Sequence, residues 1–253
     1  MAILRNTVLV AVIAGLLAGL ALAAIQTFTT VPMILEAEAF EASGGAAVHE
    51  HAPGTPAHDH GPATVAPSEH HHDENAWAPA DGAERTVYTF AANALTGIGF
   101  ALLLVVVSEL AGGIANWRQG AFWGLAGFAT FTLAPGLGLP PELPAMPAAD
   151  LVSRQIWWIG TVVATAAGLA LIAFKGTVGW SLAGLALLVL PHAIGAPQPV
   201  DYASPVPERL HHDFVVASTV TNLVFWVILG GLVGVVRERW FGRTLDALQG
   251  RLA

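Results

Sequence analysis

The chain contains no cysteine among its 253 residues. That removes disulfides, thiolate metal sites, iron–sulfur clusters and cysteine nucleophiles together. Methionine is nearly as scarce, at three residues, so the thioether ligands suited to Cu(I) are in short supply. Charge is the third deficit: 11% of residues are Asp, Glu, Lys or Arg, against about 25% in a soluble globular domain. No G-x-x-x-x-G-K phosphate loop, no H-E-x-x-H and no nucleophile–base set occurs, so the chain is not expected to hydrolyse ATP or to act as an enzyme.

What fills the chain instead is apolar: 55% of residues are hydrophobic and the mean hydropathy is +0.62. Runs of about 20 apolar residues are the signature of helices that cross lipid. Six such runs stand at 4–30, 86–111, 119–138, 154–174, 177–195 and 213–236. The third is the weakest, being glycine-rich and interrupted by Pro135, but neighbouring helices satisfy backbone groups freed inside a membrane. The expected fold is an all-α integral membrane protein of about six transmembrane helices, five being the alternative count. The first run also has features of a cleavable signal peptide (Arg5, then Ala21 and Ala23). Its length and the small pair Gly15 and Gly19, a helix-packing face, favour a retained helix.

Basic residues are kept on the cytoplasmic side of a membrane. With six crossings and the N-terminus inside, the inner side holds Arg5, Arg118, Lys175, Arg237, Arg239, Arg243 and Arg251. The outer side holds Arg85, Arg154 and Arg209. Seven against three places both termini and the basic tail 237–253 on the cytoplasmic side of the membrane. The acids fall opposite: ten Asp or Glu against one Arg lie in 31–85, the first external loop. All ten histidines lie on the same outer side.

Within that loop, 42–84 is rich in Ala, Pro and Gly and is expected to be largely disordered. It carries His49 and His51, His58 and His60, then His70, His71 and His72, beside Glu50, Asp59, Glu69, Asp73 and Glu74. Residues i and i+2 of an extended chain project to one side, so each His-x-His offers two imidazoles to one ion. Neutral imidazole suits divalent cobalt, nickel, copper and zinc. The competing reading is a solvated low-complexity insert that binds metal only incidentally. Such a loop cannot select among these ions, because affinity follows the Irving–Williams order.

A more rigid candidate lies at the outer helix ends. His192 closes the fifth run, and His211, His212 and Asp213 open the sixth. Seventeen residues separate the two helices, so imidazoles from both, with a carboxylate, could meet at an outer mouth. Two adjacent histidines stand about 100° apart around a helix, so both reach one ion only if the helix begins after them. The alternative makes Asp213 an N-cap and the histidines interfacial. Glu109 is an acid within the second run, a candidate for an intramembrane path, or else an interfacial group beside Asn116 and Arg118. Asn93 and Asn222 are expected to join helices by hydrogen bonding.

Four strings carry a family resemblance: QTFTTVPMILEAEAFE at 26–41, the His-rich loop after it, GLGLPPELP at 136–144 and LPHAIGAPQP at 190–199. With them the sequence resembles the CbtA family, proposed cobalt transporter subunits of B12-related uptake systems, over most of the chain. The resemblance implies a multi-span protein, usually described with five spans, acting with a small one-span, His-rich partner subunit of the CbtB kind. It implies Co²⁺, with Ni²⁺ as the alternative, as the ion handled. The sequence leaves three functions open: an uptake permease subunit whose loop collects the ion, a membrane metal sensor or buffer without transport, and a cytochrome with His192 and His211 or His212 on a haem. A homo-oligomer is compatible with all three, and nothing in the chain points to nucleic acid.

Overall fold

A computed structural model describes residues 2–45, 77 and 79–249, with side chains at 4–42, 77 and 79–239. The described residues are helical, without strands. The elements are α1 (Ala2–Phe28), α2 (Thr30–Gly45), α3 (Ala83–Glu109), α4 (Trp117–Phe128), a π segment (Ala129–Leu133), α5 (Ala134–Gly138), α6 (Leu151–Lys175), α7 (Val178–Ile194) and α8 (Glu208–Gln249).

Two prolines explain the breaks inside these runs. Pro32 cannot donate to the Phe28 oxygen, and α1 gives way at Thr29 to α2. The expected external loop thus begins as a helix that reaches Gly45, past residue 42 where the composition predicts disorder. Its sequence, VPMILEAEAFEA, is dominated by good helix formers. The remainder of the His-rich loop lies outside the described residues. Pro135 has no N–H either, and its ring would meet the carbonyl four residues back. The turn before it widens into a π segment, with the Ala134 N–H bonded to Ala129 O. The run 117–138 is therefore one continuous but irregular helix.

Among the described residues, four helices are long and apolar enough to cross a membrane: α1 over Leu4–Phe28, α3, α6 and α8 over Glu208–Arg239. The apolar α7 is shorter, at 17 residues. The last helix differs from its expected bounds of 213–236: it starts at Glu208, directly after Pro207, and runs on through the basic tail to Gln249.

Consecutive long segments alternate in direction. Gly15 lies against Gly97 and Ile98, and Gly19 against Asn93 and Ala94, so α1 and α3 run antiparallel. Gly120 meets Gly230, Gly124 meets Trp226, and Gly234 meets Asn116 and Trp117, pairing α4 with α8 antiparallel. Gly168 and Gly184 approach so closely that a Cβ on either would fall 2.6–2.7 Å from the other's carbonyl oxygen, which pairs α6 with α7. Close backbone approach at small residues is how helices associate where lipid supplies no hydrophobic drive. The core joins the first two pairs: Val10, Ala14 and Ala18 of α1, Leu104 and Val105 of α3, and Phe225, Trp226, Leu229 and Val233 of α8. The α6–α7 hairpin sits outside it, touching the π segment and α5.

The bundle consequently has two unlike ends. One carries Arg118, Lys175, Arg237 and Glu109. The other carries α2, the 139–150 and 195–207 connections, and the histidines His192, His211 and His212.

Candidate functional site

The histidine end is built from the quoted strings. Met33, Ile34, Ala37 and Phe40 of α2 pack with Leu143, Ala145 and Met146 of the PPELPAM turn and with Val206, Leu210 and Phe214 around the start of α8. Ala37 and Leu143 are almost wholly buried there. The turn itself is tight: Ala145 takes a φ of 63°, a left-handed conformation uncommon for a residue with a Cβ. Ser204 donates to the Ala145 oxygen at 3.4 Å, tying the two connections together.

His211 faces this turn, with Nε2 3.3 Å from the Pro141 oxygen. Since a carbonyl only accepts, that contact requires the tautomer protonated at Nε2 and leaves Nδ1 as the acceptor. His212, the next residue on the helix, is exposed. Because α8 begins at Glu208, both histidines are helical and point to different sides. Asp213 is therefore not an N-cap; it pairs with Arg209 one turn back, at 3.7 Å and largely in solvent.

His192 belongs to a second group. Its ring stands edge-on to Trp157, 5.9 Å between centroids, and the Trp157 N–H donates to the Pro191 oxygen at 3.2 Å. The same indole covers Gly138, where a Cβ would strike the ring. Thus GLGLPPELP and LPHAIGAPQP meet on Trp157, a residue that sequence reasoning did not single out. Its only signal was a tryptophan inside a run otherwise read for its apolar character. Glu142 of the same turn bonds Arg154 at 2.9 Å, fixing PPELP to the start of α6. Asp150 caps α6 by accepting from the Ser153 N–H at 2.9 Å and its hydroxyl at 2.7 Å. These bonds, the backbone one foremost, hold the Asp150 carboxyl below its usual range.

The third feature is the stem of the His-rich segment. Both guanidinium nitrogens of Arg85 in α3 bond the Glu38 carboxylate of α2, with Nη1 at 2.9 Å from Oε2. Nη1 also reaches Asp81 at 3.3 Å. The Arg85 hydrogen bond holds the Glu38 carboxyl below its ordinary value, against a smaller opposing effect of burial. These side chains line an open depression of about 550 Å³ together with Pro79 and Ala80.

Among the described residues, no group of three or more His, Asp or Glu side chains stands in an arrangement able to hold a metal. His192 and His211 sit at the same end but on different partners. His49, His51, His58, His60, His70, His71 and His72 lie outside the described residues. Glu109, at the opposite end, is the last residue of α3 and forms an ion pair with Arg237. Its charge is thereby balanced within the protein. Asn93 does join helices, donating to Gln26 Oε1 of α1 at 2.7 Å. Asn222 instead bonds within its own helix, to the Ser218 oxygen at 2.9 Å.

No curated protein and no solved structure matches the chain. A family model described as probable cobalt transporter subunit (CbtA) matches residues 4–238, which takes in every helix pair and all three motif strings of the histidine end. The chain belongs to that family, the probable cobalt transporter subunits.

Proposed function

We propose that this chain is the membrane-spanning subunit of an importer for divalent cobalt, with nickel as the alternative cation. It crosses the bacterial inner membrane six times with both termini in the cytoplasm. Supporting six crossings, the 22 residues of 117–138 extend about 33 Å and the 17 of α7 about 26 Å at ~1.5 Å per residue. A hydrocarbon core is about 30 Å thick. The arginine end then faces the cytoplasm, as the charge rule requires.

In this reading the His-rich loop is a collector and not the selecting site. Its imidazoles concentrate M²⁺ over the outer end and pass it to His192, His211, His212 and Asp213, which act as separate successive contacts and not as one chelating group. The observation that carries the reading is the convergence of the family's strings at one end, where His192 and His211 are held by Trp157 and by Pro141. A small His-rich, single-span partner subunit completes the system. Energy comes from the membrane potential, about 2.3 kcal/mol per charge per 100 mV, or from that partner.

The direct test compares uptake of radiolabelled Co²⁺ by cells with and without the gene. Import above the background of cells lacking it is expected. Equal accumulation, with the purified protein still binding the metal, would assign the chain to the sensor or buffer class instead.

A further inference from the structure

Helix α6 is built inside out. Its outward-facing residues Ile156, Ile159 and Val163 are exposed and apolar, whereas its buried residues are Thr161, Thr165 and Gly168. The spacing 157, 161, 165, 168 is one helix face, and it begins at Trp157, the residue against His192. Small residues at such a face serve packing, and Gly168 does so against Gly184. Thr165 does not fit that explanation. Its hydroxyl is buried, the residue being 2% exposed, and it has no hydrogen-bond partner among the described residues. It does not make even the bond to the carbonyl four residues back that Thr161 makes to Trp157 at 2.9 Å. A buried hydroxyl without a partner is destabilising, and a valine of the same shape would relieve it.

A second oxygen lies at the same depth. Gly138 meets Trp157, Phe131 meets Trp158 and Trp123 meets Phe174, so α6 runs antiparallel to the 117–138 helix. That register brings Thr130 of the π segment level with Thr165. Thr130 is buried, and in the i→i+5 register its main-chain oxygen would take its bond from residue 135, a proline with no N–H. Pro191 likewise cannot donate to the Leu187 oxygen of α7, which the Gly168–Gly184 contact places at nearly the same level.

We infer that the Thr161–Thr165 face of α6, with the π segment opposite, lines the mid-membrane part of the path of a divalent transition-metal cation, Thr165 being its narrow point. This rests on the transport reading above. Neutral hydroxyl and carbonyl oxygens replace hydration water without holding the ion permanently, which is what conduction requires of intermediate sites. The stripe leads inward from His192 and Trp157, so it continues from the outer group toward the arginine end.

The natural absence of cysteine makes the test direct. Thr165→Cys in the full chain, in native membranes, is exposed to a small water-soluble methanethiosulfonate, with Val163→Cys on the lipid side as control. Modification of Thr165→Cys and none of Val163→Cys is expected. In parallel, Thr165→Val is expected to reduce Co²⁺ uptake per folded molecule at least about tenfold, the equivalent of one lost oxygen contact. Its melting temperature should equal or exceed that of the natural chain, and Thr165→Ser should retain uptake. An unreactive Thr165→Cys, or full uptake by Thr165→Val, overturns the inference. If the natural chain itself imports no cobalt, the transport reading fails on its own, while thiol modification still decides whether the stripe is hydrated.

Discussion

Arg85 grips Glu38 with both guanidinium nitrogens across 47 residues of sequence. The pair joins the helix that enters the His-rich segment to the helix that leaves it. Both side chains are about one-third exposed, so the pair contributes about 1 kcal/mol or less. Its pH dependence is nevertheless distinctive. The Glu38 carboxyl titrates lower folded than unfolded, so its contribution is present above the unfolded value of about 4.3 and disappears as pH falls through the lower folded value. Thermal unfolding in detergent should show the natural chain above Glu38→Gln at pH 7, with the gap closing toward pH 3. A gap that does not change with pH would mean the ion pair is not its source.

The glycines of α4 and α8 carry a sharper prediction. Gly120 and Gly230 face each other so closely that a side chain on Gly230 would fall on the Gly120 carbonyl, with the Gly124 nitrogen at 2.8 Å. Both neighbours are backbone and cannot swing aside, so Gly230→Leu must part the helices and expose the core around Trp226. At the adjacent Gly231, a Cβ would meet nothing within 4 Å among the described residues. Size-exclusion profiles in mild detergent should show Gly230→Leu aggregated and Gly231→Leu monodisperse. Two equally well-behaved variants would refute the α4–α8 pairing.

These pairings show what could be read without a structure. The six apolar runs reappear as helices because lipid-facing residues must be apolar whatever their partners. The pair Gly15 and Gly19 is indeed a packing face, against α3. Gly120-x₃-Gly124 and Gly230-x₃-Gly234 carry the same signal, but spacing alone does not say which helix answers which. The start of α8 was legible in Pro207-Glu208, a proline beside an acid being a helix-opening signal. The claim of Asp213 to be an N-cap obscured it. The π segment was hidden because it depends on how the turn before Pro135 settles against α6. The histidines were found easily, while Trp157, which organises two of the strings, offered no pattern to read.

At the arginine end, Glu109 is half exposed and Arg237 is mostly buried, at 15%. The guanidinium also lies against Gly113, whose φ is 82°. Removing Glu109's charge takes one carboxylate away from a poorly hydrated cation, so Glu109→Gln should lower unfolding stability by about 1 kcal/mol. A carboxylate already balanced by arginine attracts a passing cation weakly. Uptake per folded molecule should therefore change little, measured as initial rate divided by the amount of monodisperse protein. A rate loss far exceeding the loss of folded protein would instead make Glu109 part of the ion's route.

The His-rich loop can be tested without changing its length. Replacing His49, His51, His58, His60, His70, His71 and His72 with serine removes seven imidazoles and leaves α2, α3 and the Arg85–Glu38 pair untouched. A collector raises the local concentration of ion but does not alter the passage itself. The substitution should therefore raise the half-saturating Co²⁺ concentration and leave the maximal rate unchanged. The loop's preference should also follow the Irving–Williams order, so Cu²⁺ should inhibit uptake at low cobalt more strongly in the natural chain than in the substituted one. A maximal rate that collapses at every cobalt concentration would move the histidines from the approach to the path.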